Sequence, residues 1–232
     1  MADNFSWNGF ETREALAAAF AGVVANHLGE AIARRGQALI AVSGGTTPAK
    51  FFAALSAKAI DWKKVTVTLI DERFVPMASP RSNAALVAKN LLQGRAAAAN
   101  LVPLYQEAAS VEVSAALAER AVRGLAWPLD VAVLGMGNDG HTASFFPDAQ
   151  NLPELLDTNS ERAVLPVHAP SAGEPRLTLS MPRIVKARLL ALHIEGSEKR
   201  TSFETAMGAG AAKPIRAVIK ASPKPVEVFW AP

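Results

Sequence analysis

The stretch Ala38-Leu-Ile-Ala-Val-Ser-Gly-Gly-Thr-Thr-Pro48 indicates the fold class of this sequence. Its first five residues are all apolar, which predicts a short strand that is buried on both faces. Thr47 and Pro48 are typical of an N-cap and a first helical turn, so we expect a helix to follow through Leu55. A buried strand that leads through a tight turn into a helix is the repeating unit of parallel α/β sheets.

The alternation of strands and helices continues on both sides of this stretch. Apolar residues recur at helical spacing over residues 11–35, and Gly36 supplies a stop signal. Further helices are predicted at residues 82–92, 111–125, 197–207 and 214–220. Further strands are predicted at residues 65–70, 130–134, 162–167, 176–179, 189–194 and 226–230. We therefore expect a three-layer α/β fold in which helices cover both faces of an open, mostly parallel sheet.

Composition narrows the class of protein. The 232 residues are 50% hydrophobic and 19% charged, which is typical of a globular chain. Residues 169–175 are rich in Pro and Gly, but strands are predicted on both sides of them, so we expect one domain over residues 1–232. The absence of cysteine excludes disulfides, thiol catalysis and thiolate metal sites.

Nucleic-acid and membrane partners are not expected. The net charge is only +3, no run of five basic residues exists, and the aromatic residues are not interleaved with basic ones. No segment approaches about 18 uninterrupted apolar residues, and the first residues carry neither a basic start nor an apolar signal core. We expect a soluble, cytoplasmic protein, whose composition fits a monomer or a dimer.

Ligands of parallel α/β sheets gather outside the carboxyl ends of the strands. Four segments directly follow predicted strands, namely residues 43–47, 71–73, 135–141 and 195–199. We expect these segments to converge on one site.

The first segment has the composition of a phosphate-binding turn. Gly44 and Gly45 allow the backbone to approach a ligand closely. The hydroxyl groups of Ser43 and Thr46 can donate hydrogen bonds, and the N-terminus of the following helix favours an anion. The alternative is a tight turn with capping hydroxyls. A nucleotide P-loop lacks support because Gly-Lys-Ser/Thr is missing, and a serine nucleophile is disfavoured because Ala41 breaks the pattern G-x-S-x-G.

The basic residues near the strand ends allow two interpretations. Arg73, in Asp71-Glu72-Arg73, can donate two hydrogen bonds to a phosphate or carboxylate, or it can belong to a solvated loop with a local ion pair. Arg176 begins a predicted strand, and Lys199 lies in the first turn of a predicted helix. Each is a surface charge by default, but together with Arg73 they could neutralise a dianionic phosphate.

The third segment, Gly135-Met-Gly-Asn-Asp-Gly140, matches the dinucleotide-binding pattern G-x-G-x-x-G after a predicted strand. However, Pro147 cuts short the helix that would carry the pyrophosphate. Only Asp157 or Glu161 lies near the spacing of a ribose-binding acid, and neither ends an obvious strand. We therefore expect no nicotinamide cofactor.

Asp139 and His141, in and after this segment, are candidates for acid–base chemistry. A carboxylate near a histidine fixes the tautomer and raises the basicity of the imidazole, so His141 could be a general base that activates water. The alternative is that Asp139 caps a short helix and His141 only packs. His27 and His193 are interpreted as structural, and His168 is left undecided. No metal-binding motif is present, so no metal is expected.

Several motifs resemble, in the same order, those of the family that contains the 6-phosphogluconolactonases and the related glucosamine-6-phosphate deaminases. They are Ser43-Gly-Gly-Thr-Thr-Pro48, Asp71-Glu-Arg-Phe-Val-Pro76, Ser82-Asn83, Gly135-Met-Gly-Asn-Asp-Gly-His-Thr-Ala-Ser-Phe-Phe-Pro147 and Pro175-Arg-Leu-Thr-Leu179. The resemblance extends from the first helix to Trp230. It implies a modified Rossmann-like fold and the hydrolysis of 6-phosphogluconolactone, the second step of the oxidative pentose phosphate pathway, without metal or coenzyme.

The resemblance also implies roles for individual residues. His141 resembles the general base, supported by Asp139, whereas Asp71 matches an acid that moves protons in the deaminases. The positions that resemble phosphate or substrate contacts are Gly44, Gly45, Thr46, Arg73, Arg176 and Lys199. In the deaminases, the segment that corresponds to Gly140–Pro147 is similar to Gly-His-Ile-Ala-Phe-Asn-Glu-Pro. In this sequence Phe146 stands in place of that glutamate. Because Phe146 cannot transfer protons, the lactonase is favoured. A deaminase, a dinucleotide-dependent reductase and a non-catalytic sugar-phosphate sensor remain as alternatives.

Overall fold

Ten strands and eight α-helices form in the part of the chain that the computed structural model describes, residues 4–45 and 47–232. The strands are β1 Phe5–Gly9, β2 Ala38–Val42, β3 Val65–Leu69, β4 Asp71–Arg73, β5 Asn100–Val102, β6 Val131–Leu134, β7 Val164–Val167, β8 Arg176–Leu179, β9 Leu189–Glu195 and β10 Val226–Ala231. The helices are α1 Arg13–Arg35, α2 Ala49–Ser56, α3 Asn83–Asn90, α4 Val111–Val122, α5 Leu152–Leu155, α6 Met181–Val185, α7 Ser197–Met207 and α8 Pro214–Ala221.

A seven-stranded sheet forms the centre of the molecule, in the order β1-β10-β9-β6-β2-β3-β5. All of its strand pairs are parallel, which confirms the predicted α/β fold class. Every residue of β2 and β6 is buried, as expected of strands that are covered on both faces. The carboxyl ends of these strands meet at one edge of the sheet.

Helices cover both faces of this sheet. Phe20 of α1 stacks on Phe229 of β10, with ring centroids 4.2 Å apart. Phe203 of α7 packs edge-on against Phe5 of β1, at 5.1 Å. In the register of β1 with β10, Asn8 is opposite Phe229, so Phe5 faces the other side of the sheet because side chains alternate along a strand. The three layers are therefore α1, the sheet and α7.

A second, three-stranded antiparallel sheet of order β4-β8-β7 was not expected. The sequence places β7 and β8 among the strands of the parallel sheet, because buried strands of either kind have the same apolar pattern. It also places Asp71–Arg73 at the tip of a strand, whereas these residues are themselves β4, which follows β3 after Ile70. Both corrections bear on the site, since β4 and β8 carry three of its predicted residues.

Several helices differ from the prediction in their boundaries; helix α3, for example, ends at Asn90 rather than at residue 92. Helix α2 begins at Ala49, and Pro48 occupies the N-cap position without a side-chain capping bond, so the predicted pairing of Thr47 as cap and Pro48 as first helical residue is wrong. Helix α4 ends at Val122 rather than at residue 125. The sequence also missed β1 and β5, the two edge strands of the central sheet.

Helix α1 is long and apolar enough, by length and composition, to cross a membrane. Core helices of soluble proteins pass the same test, and α1 has the contacts of a core helix. Thr12 accepts a hydrogen bond from the backbone N–H of Ala15 at its start, and Gly36 ends it at φ 76°. Its buried side chains recur every three or four residues and belong to the hydrophobic core cluster: Leu16, Ala17, Phe20, Ala21, Val24, Ala25, Leu28 and Ala31.

Candidate active site

A cavity of about 400 Å³ lies at the carboxyl ends of β2, β6 and β9, beside β4 and β8. It brings together all four segments that follow strands in the sequence. The predicted site residues that line it are Ser43, Gly44, Gly45, Asp71, Arg73, His141, Arg176 and Lys199. Asp139 lies behind His141, and Thr46 is outside the described residues.

The imidazole of His141 is held by the carboxylate of Asp139. Nδ1 of His141 lies 2.6 Å from Oδ1 of Asp139, and the same oxygen accepts the backbone N–H of His141 at 3.1 Å. Asp139 therefore does not cap a helix, which was the alternative interpretation. Because Nδ1 is engaged by a carboxylate, Nε2 is the ring nitrogen that can accept a proton from water.

The glycines of the G-x-G-x-x-G match serve this histidine loop. A β-carbon on Gly137 would overlap the side chains of both His141 and Asp139, so only glycine permits their close approach. Gly140 has φ 84°, a conformation that favours glycine. No helix follows Gly140 within the described residues until α5 begins at Leu152. The loop therefore lacks the helix N-terminus on which a dinucleotide pyrophosphate would bind.

Phe146 lies between the histidine and an arginine. Its ring is 4.4 Å from the His141 ring, at an interplanar angle of 33°. The guanidinium of Arg176 lies 5.7 Å from the Phe146 centroid, within the range of a cation–π contact. Phe146 thus places an apolar surface beside the imidazole, where the deaminase motif has a carboxylate.

The turn after β2 has the features of an anion-binding turn. Gly45 has φ 97°, and the turn leads into α2, a helix of eight residues. The Ser43 hydroxyl oxygen is buried without a hydrogen-bond partner in the described part of the chain, although it lines the cavity. A buried hydroxyl in this position can be satisfied by a bound ligand or water.

Two arginines lie opposite each other on adjacent strands of the second sheet. Arg73 of β4 and Arg176 of β8 are directly opposite in the antiparallel register, and like charges in such pairs repel. Arg176 is only 8% exposed and is held by the carbonyl of Ala172 at 2.7 Å and the carboxylate of Glu174 at 3.2 Å. Burial lowers the pKa of Arg176, Asp71 opposes this effect, and Arg73 adds to it. An anion bound between the two arginines would relieve their repulsion.

Lys199 completes the set of three cations around the cavity. It lies in the first turn of α7, directly after β9 and Gly196. The neighbouring Glu198 accepts a hydrogen bond from the side chain of Asn138, which belongs to the loop of His141. This contact links the histidine loop to the helix that carries Lys199.

Asp71 is fixed on the floor of the cavity by Ser144. The Ser144 hydroxyl donates to Oδ2 of Asp71 at 2.7 Å, and both residues are buried. Ser144 follows Ala143, a non-glycine residue at φ 51°, in a tight turn closed by the bond from the Phe145 N–H to the Thr142 carbonyl at 3.0 Å. Backbone strain of this kind is found where neighbouring structure holds a functional loop in place.

The sequence missed several residues of the cavity wall. Ser144 belongs to the motif that runs from Gly135 to Pro147, but nothing in its spacing reveals a partner in β4. His193 is predicted to be structural, and its ring does pack against Phe20 and Phe51, yet the residue also lines the cavity. Asn83 lines the cavity from the start of α3. Among the described residues, no group of three or more acidic or histidine side chains is placed to hold a metal ion.

Comparison with known proteins identifies the family. The family profile described as Glucosamine-6-phosphate isomerases/6-phosphogluconolactonase matches residues 11–230. A 6-phosphogluconolactonase of Mesorhizobium japonicum is 65% identical over 229 residues, 99% of this chain and 96% of that protein. One of Rhizobium meliloti is 51% identical over 225 residues, 96% of this chain and 97% of that protein. The crystal structure of a 6-phosphogluconolactonase from Shewanella baltica has a TM-score of 0.96 at 38% identity and covers 100% of both chains. The chain belongs to the glucosamine-6-phosphate isomerase/6-phosphogluconolactonase family.

Proposed function

We propose that this chain hydrolyses 6-phosphogluconolactone to 6-phosphogluconate and that His141 is the general base. One observation carries the proposal: a carboxylate-held imidazole and a glycine turn at a helix N-terminus line the same cavity of about 400 Å³. The volume is within the usual range of small-ligand sites. Relatives up to 65% identical are named 6-phosphogluconolactonases, which supports the same substrate here.

The phosphate binds at the cationic side of the cavity. Backbone N–H groups of the Gly44–Gly45 turn and the N-terminus of α2 favour a dianion. Arg73, Arg176 and Lys199 supply three positive charges, of which the arginines can donate paired hydrogen bonds. Anchoring one end of the substrate places its lactone carbonyl near His141, and such positioning contributes several kcal/mol to catalysis.

Hydrolysis proceeds by attack of water on the lactone carbonyl. Nε2 of His141 takes a proton from water while the water oxygen forms a bond to the carbonyl carbon. The imidazolium that results is stabilised by Asp139, 2.6 Å away. The tetrahedral intermediate then collapses, the bond from the carbonyl carbon to the ring oxygen breaks, and the imidazolium returns its proton to that oxygen. The products are the sugar hydroxyl and a carboxylic acid, which ionises.

Negative charge develops on the carbonyl oxygen during the attack and requires a donor. Backbone N–H groups of the cavity loops or the guanidinium of Arg73 can supply it. Asp71 has one carboxylate oxygen bonded to Ser144, so its other oxygen can accept a hydrogen bond from a substrate hydroxyl. In this reaction we assign Asp71 to substrate orientation rather than to proton transfer at a sugar carbon.

A deaminase acting on glucosamine 6-phosphate is the second candidate, since the family contains both activities. Phe146 disfavours it, because an apolar ring stands beside His141 where the deaminase motif has a glutamate. A dinucleotide-dependent reductase is disfavoured because, in the described residues, no helix begins directly after Gly140, and α5 starts only at Leu152. A cytoplasmic location and catalysis without metal or coenzyme stay predictions.

The experiment is the hydrolysis of freshly prepared 6-phosphogluconolactone by the purified protein, with spontaneous hydrolysis subtracted and no metal or coenzyme added. We expect acceleration well above background and no release of ammonia from glucosamine 6-phosphate. If 6-phosphogluconate protects the protein against thermal unfolding but no hydrolysis occurs, the chain is a sugar-phosphate sensor. Ammonia release without lactone hydrolysis would identify a deaminase.

A further inference from the structure

Gly44 is packed against the side chain of Asn83, the first residue of α3. A β-carbon built on Gly44 would overlap the amide group of Asn83, with Nδ2 at 2.9 Å and the other amide atoms closer still. A β-carbon on Gly45, by contrast, would meet no atom of the described residues within 4 Å, and this position favours glycine because of its φ of 97°. The two adjacent glycines are therefore required for different reasons. Gly44 is required because the Asn83 side chain packs against it, and Gly45 is required because of its backbone conformation.

Asn83 is itself held firmly. It is 3% exposed, and its Nδ2 donates to the backbone carbonyl of Asp71 at 2.8 Å. Its backbone N–H donates to Oε1 of Glu72, also at 2.8 Å. One amide side chain thus contacts the anion-binding turn on one side and the strand that carries Asp71 and Arg73 on the other.

Glu72 fixes the start of α3 and so fixes Asn83. Its carboxylate is fully buried and accepts four hydrogen bonds: from the backbone N–H groups of Arg73, Asn83 and Ala84, each at 2.8 Å, and from the Ser82 hydroxyl at 3.0 Å. Burial raises the pKa of Glu72 above its ordinary value, and these four donors offset part of that rise. Because all four neighbours are donors, the ionised carboxylate fits this position.

We propose that Asn83, held by Glu72, is a positioning residue that sets the place of the Gly44 turn relative to Asp71 and Arg73. Asn83 acts through the turn rather than on the reacting atoms. The proposal rests on the proposed function, because the turn is taken as the site of the substrate phosphate. Loss of the Asn83 side chain should therefore weaken phosphate binding and leave the proton transfer by His141 in place.

The test is a double-mutant cycle of Gly44→Ala and Asn83→Ala. Gly44→Ala alone introduces a β-carbon that overlaps the Asn83 amide, so the turn must move and KM should rise by about tenfold or more. Asn83→Ala alone removes the support beneath the turn, and KM should rise by a smaller factor. In the double variant the overlap is gone, so KM should fall below that of Gly44→Ala. In all three, kcat should stay within about threefold of wild type.

Affinity for inorganic phosphate, measured by calorimetry, gives a second readout that does not depend on catalysis. The same order is expected: weakest binding in Gly44→Ala and partial recovery in the double variant. Asn90→Ala is the matched control, because Asn90 lies in the same helix and its side chain, in the described part of the chain, donates only to the Leu86 carbonyl of that helix, at 2.9 Å. It should change neither KM nor phosphate affinity.

The outcomes separate the two proposals. If wild type does not hydrolyse the lactone, the proposed function fails, and phosphate affinities alone then decide the role of Asn83. If wild type is active but the fold-increase in KM of the double variant equals the product of the two single fold-increases, the positioning role is overturned. It is also overturned if Asn83→Ala lowers kcat and leaves the affinity for phosphate unchanged. Should Asn83→Ala fail to fold, Asn83→Ser replaces it, since serine keeps a polar group at the helix start without reaching Gly44; the same pattern is required.

Discussion

Gly44, Gly45 and Gly137 are glycines for two different physical reasons, which are the close packing of a side chain at Gly44 and Gly137 and the backbone conformation at Gly45. Gly44 leaves space for an amide side chain, Gly45 adopts φ 97°, and Gly137 lets the ring of His141 come close. In the sequence all three look alike, and Gly137 forms part of a dinucleotide pattern. The prediction of a phosphate turn and a histidine loop used residue types and strand ends, whereas the reason for each glycine depends on side chains from distant segments.

Lys199 is a cation whose contribution can be isolated. It lines the cavity from the first turn of α7, and in the described part of the chain it forms no hydrogen bond or ion pair with His141 or Asp139. Lys199→Ala should raise KM more than it lowers kcat, because a phosphate contact stabilises the bound substrate and the transition state alike. Steady-state kinetics on the lactone measures both constants.

Lys220→Ala serves as the control for this prediction, since Lys220 is an exposed residue in the last turn of α8 and lies outside the cavity lining. It should leave KM unchanged. A fall in kcat with an unchanged KM in Lys199→Ala would assign this lysine to the chemical step instead.

The second sheet is the element that brings three of the predicted residues to the site. Strands β4 and β8 carry Asp71, Arg73 and Arg176 into the cavity edge formed by the parallel strands. The sequence identified these three residues but not their pairing. Antiparallel pairing of β4 with β8 joins segments far apart in the chain, and no local pattern reports such contacts. A three-residue strand such as β4 is also too short for a periodic signal.

The start of α3 is an element on which the site depends, so its cap should be unusually costly to remove. The Ser82 hydroxyl accepts from the Ala85 N–H at 3.2 Å and donates to Glu72 at 3.0 Å. Ser82→Ala breaks both bonds and leaves a buried carboxylate with one donor fewer. We expect a loss of about 1–2 kcal/mol in the free energy of unfolding, measured by denaturant titration.

Ser110→Ala is the matched comparison for the cap of α3. Ser110 caps α4 with a longer bond of 3.4 Å to the Val113 N–H in an exposed position. Its removal should cost less than that of Ser82. Equal losses for the two variants would show that Glu72 adds nothing to the cap of α3.

Helix α4 is linked to the loop after β7 by Glu112 and His168, and this contact predicts a pH dependence. Nε2 of His168 lies 2.7 Å from the Glu112 carboxylate, and this hydrogen bond is the main reason that the pKa of Glu112 is lowered from 4.5 to about 2. A lowered carboxyl pKa stabilises the folded state above pH 4.5, and this contribution is lost as the pH falls toward 2. Because both side chains are exposed, it should not exceed about 1 kcal/mol.

An NMR titration of the Glu112 carboxyl carbon tests this assignment. In wild type the midpoint should lie near pH 2, and in His168→Ala it should return toward 4.5. A midpoint that does not respond to the loss of His168 would show that the contact does not form in solution.

At the scale of the whole molecule, much of the architecture can be predicted from the sequence pattern. Apolar strands such as β2 and β6 alternate with helices along the chain. This pattern is sufficient to predict the parallel sheet and the edge of the sheet at which ligands gather. The pattern was not sufficient for β1 and β5, because edge strands are short or half exposed and lack a continuous apolar run. One domain over residues 1–232 stays a prediction.

The proposed hydrolysis requires that the loop carrying His141 and the turn carrying Gly44 meet at the same cavity. Its test is a comparison of wild type with His141→Ala in lactone hydrolysis, corrected for the spontaneous reaction, with 6-phosphogluconate binding measured in parallel. We expect kcat to fall by about 10²-fold or more while 6-phosphogluconate still binds, because the base is lost and the phosphate site is intact. A folded His141→Ala variant that hydrolyses the lactone at the wild-type rate would contradict the account.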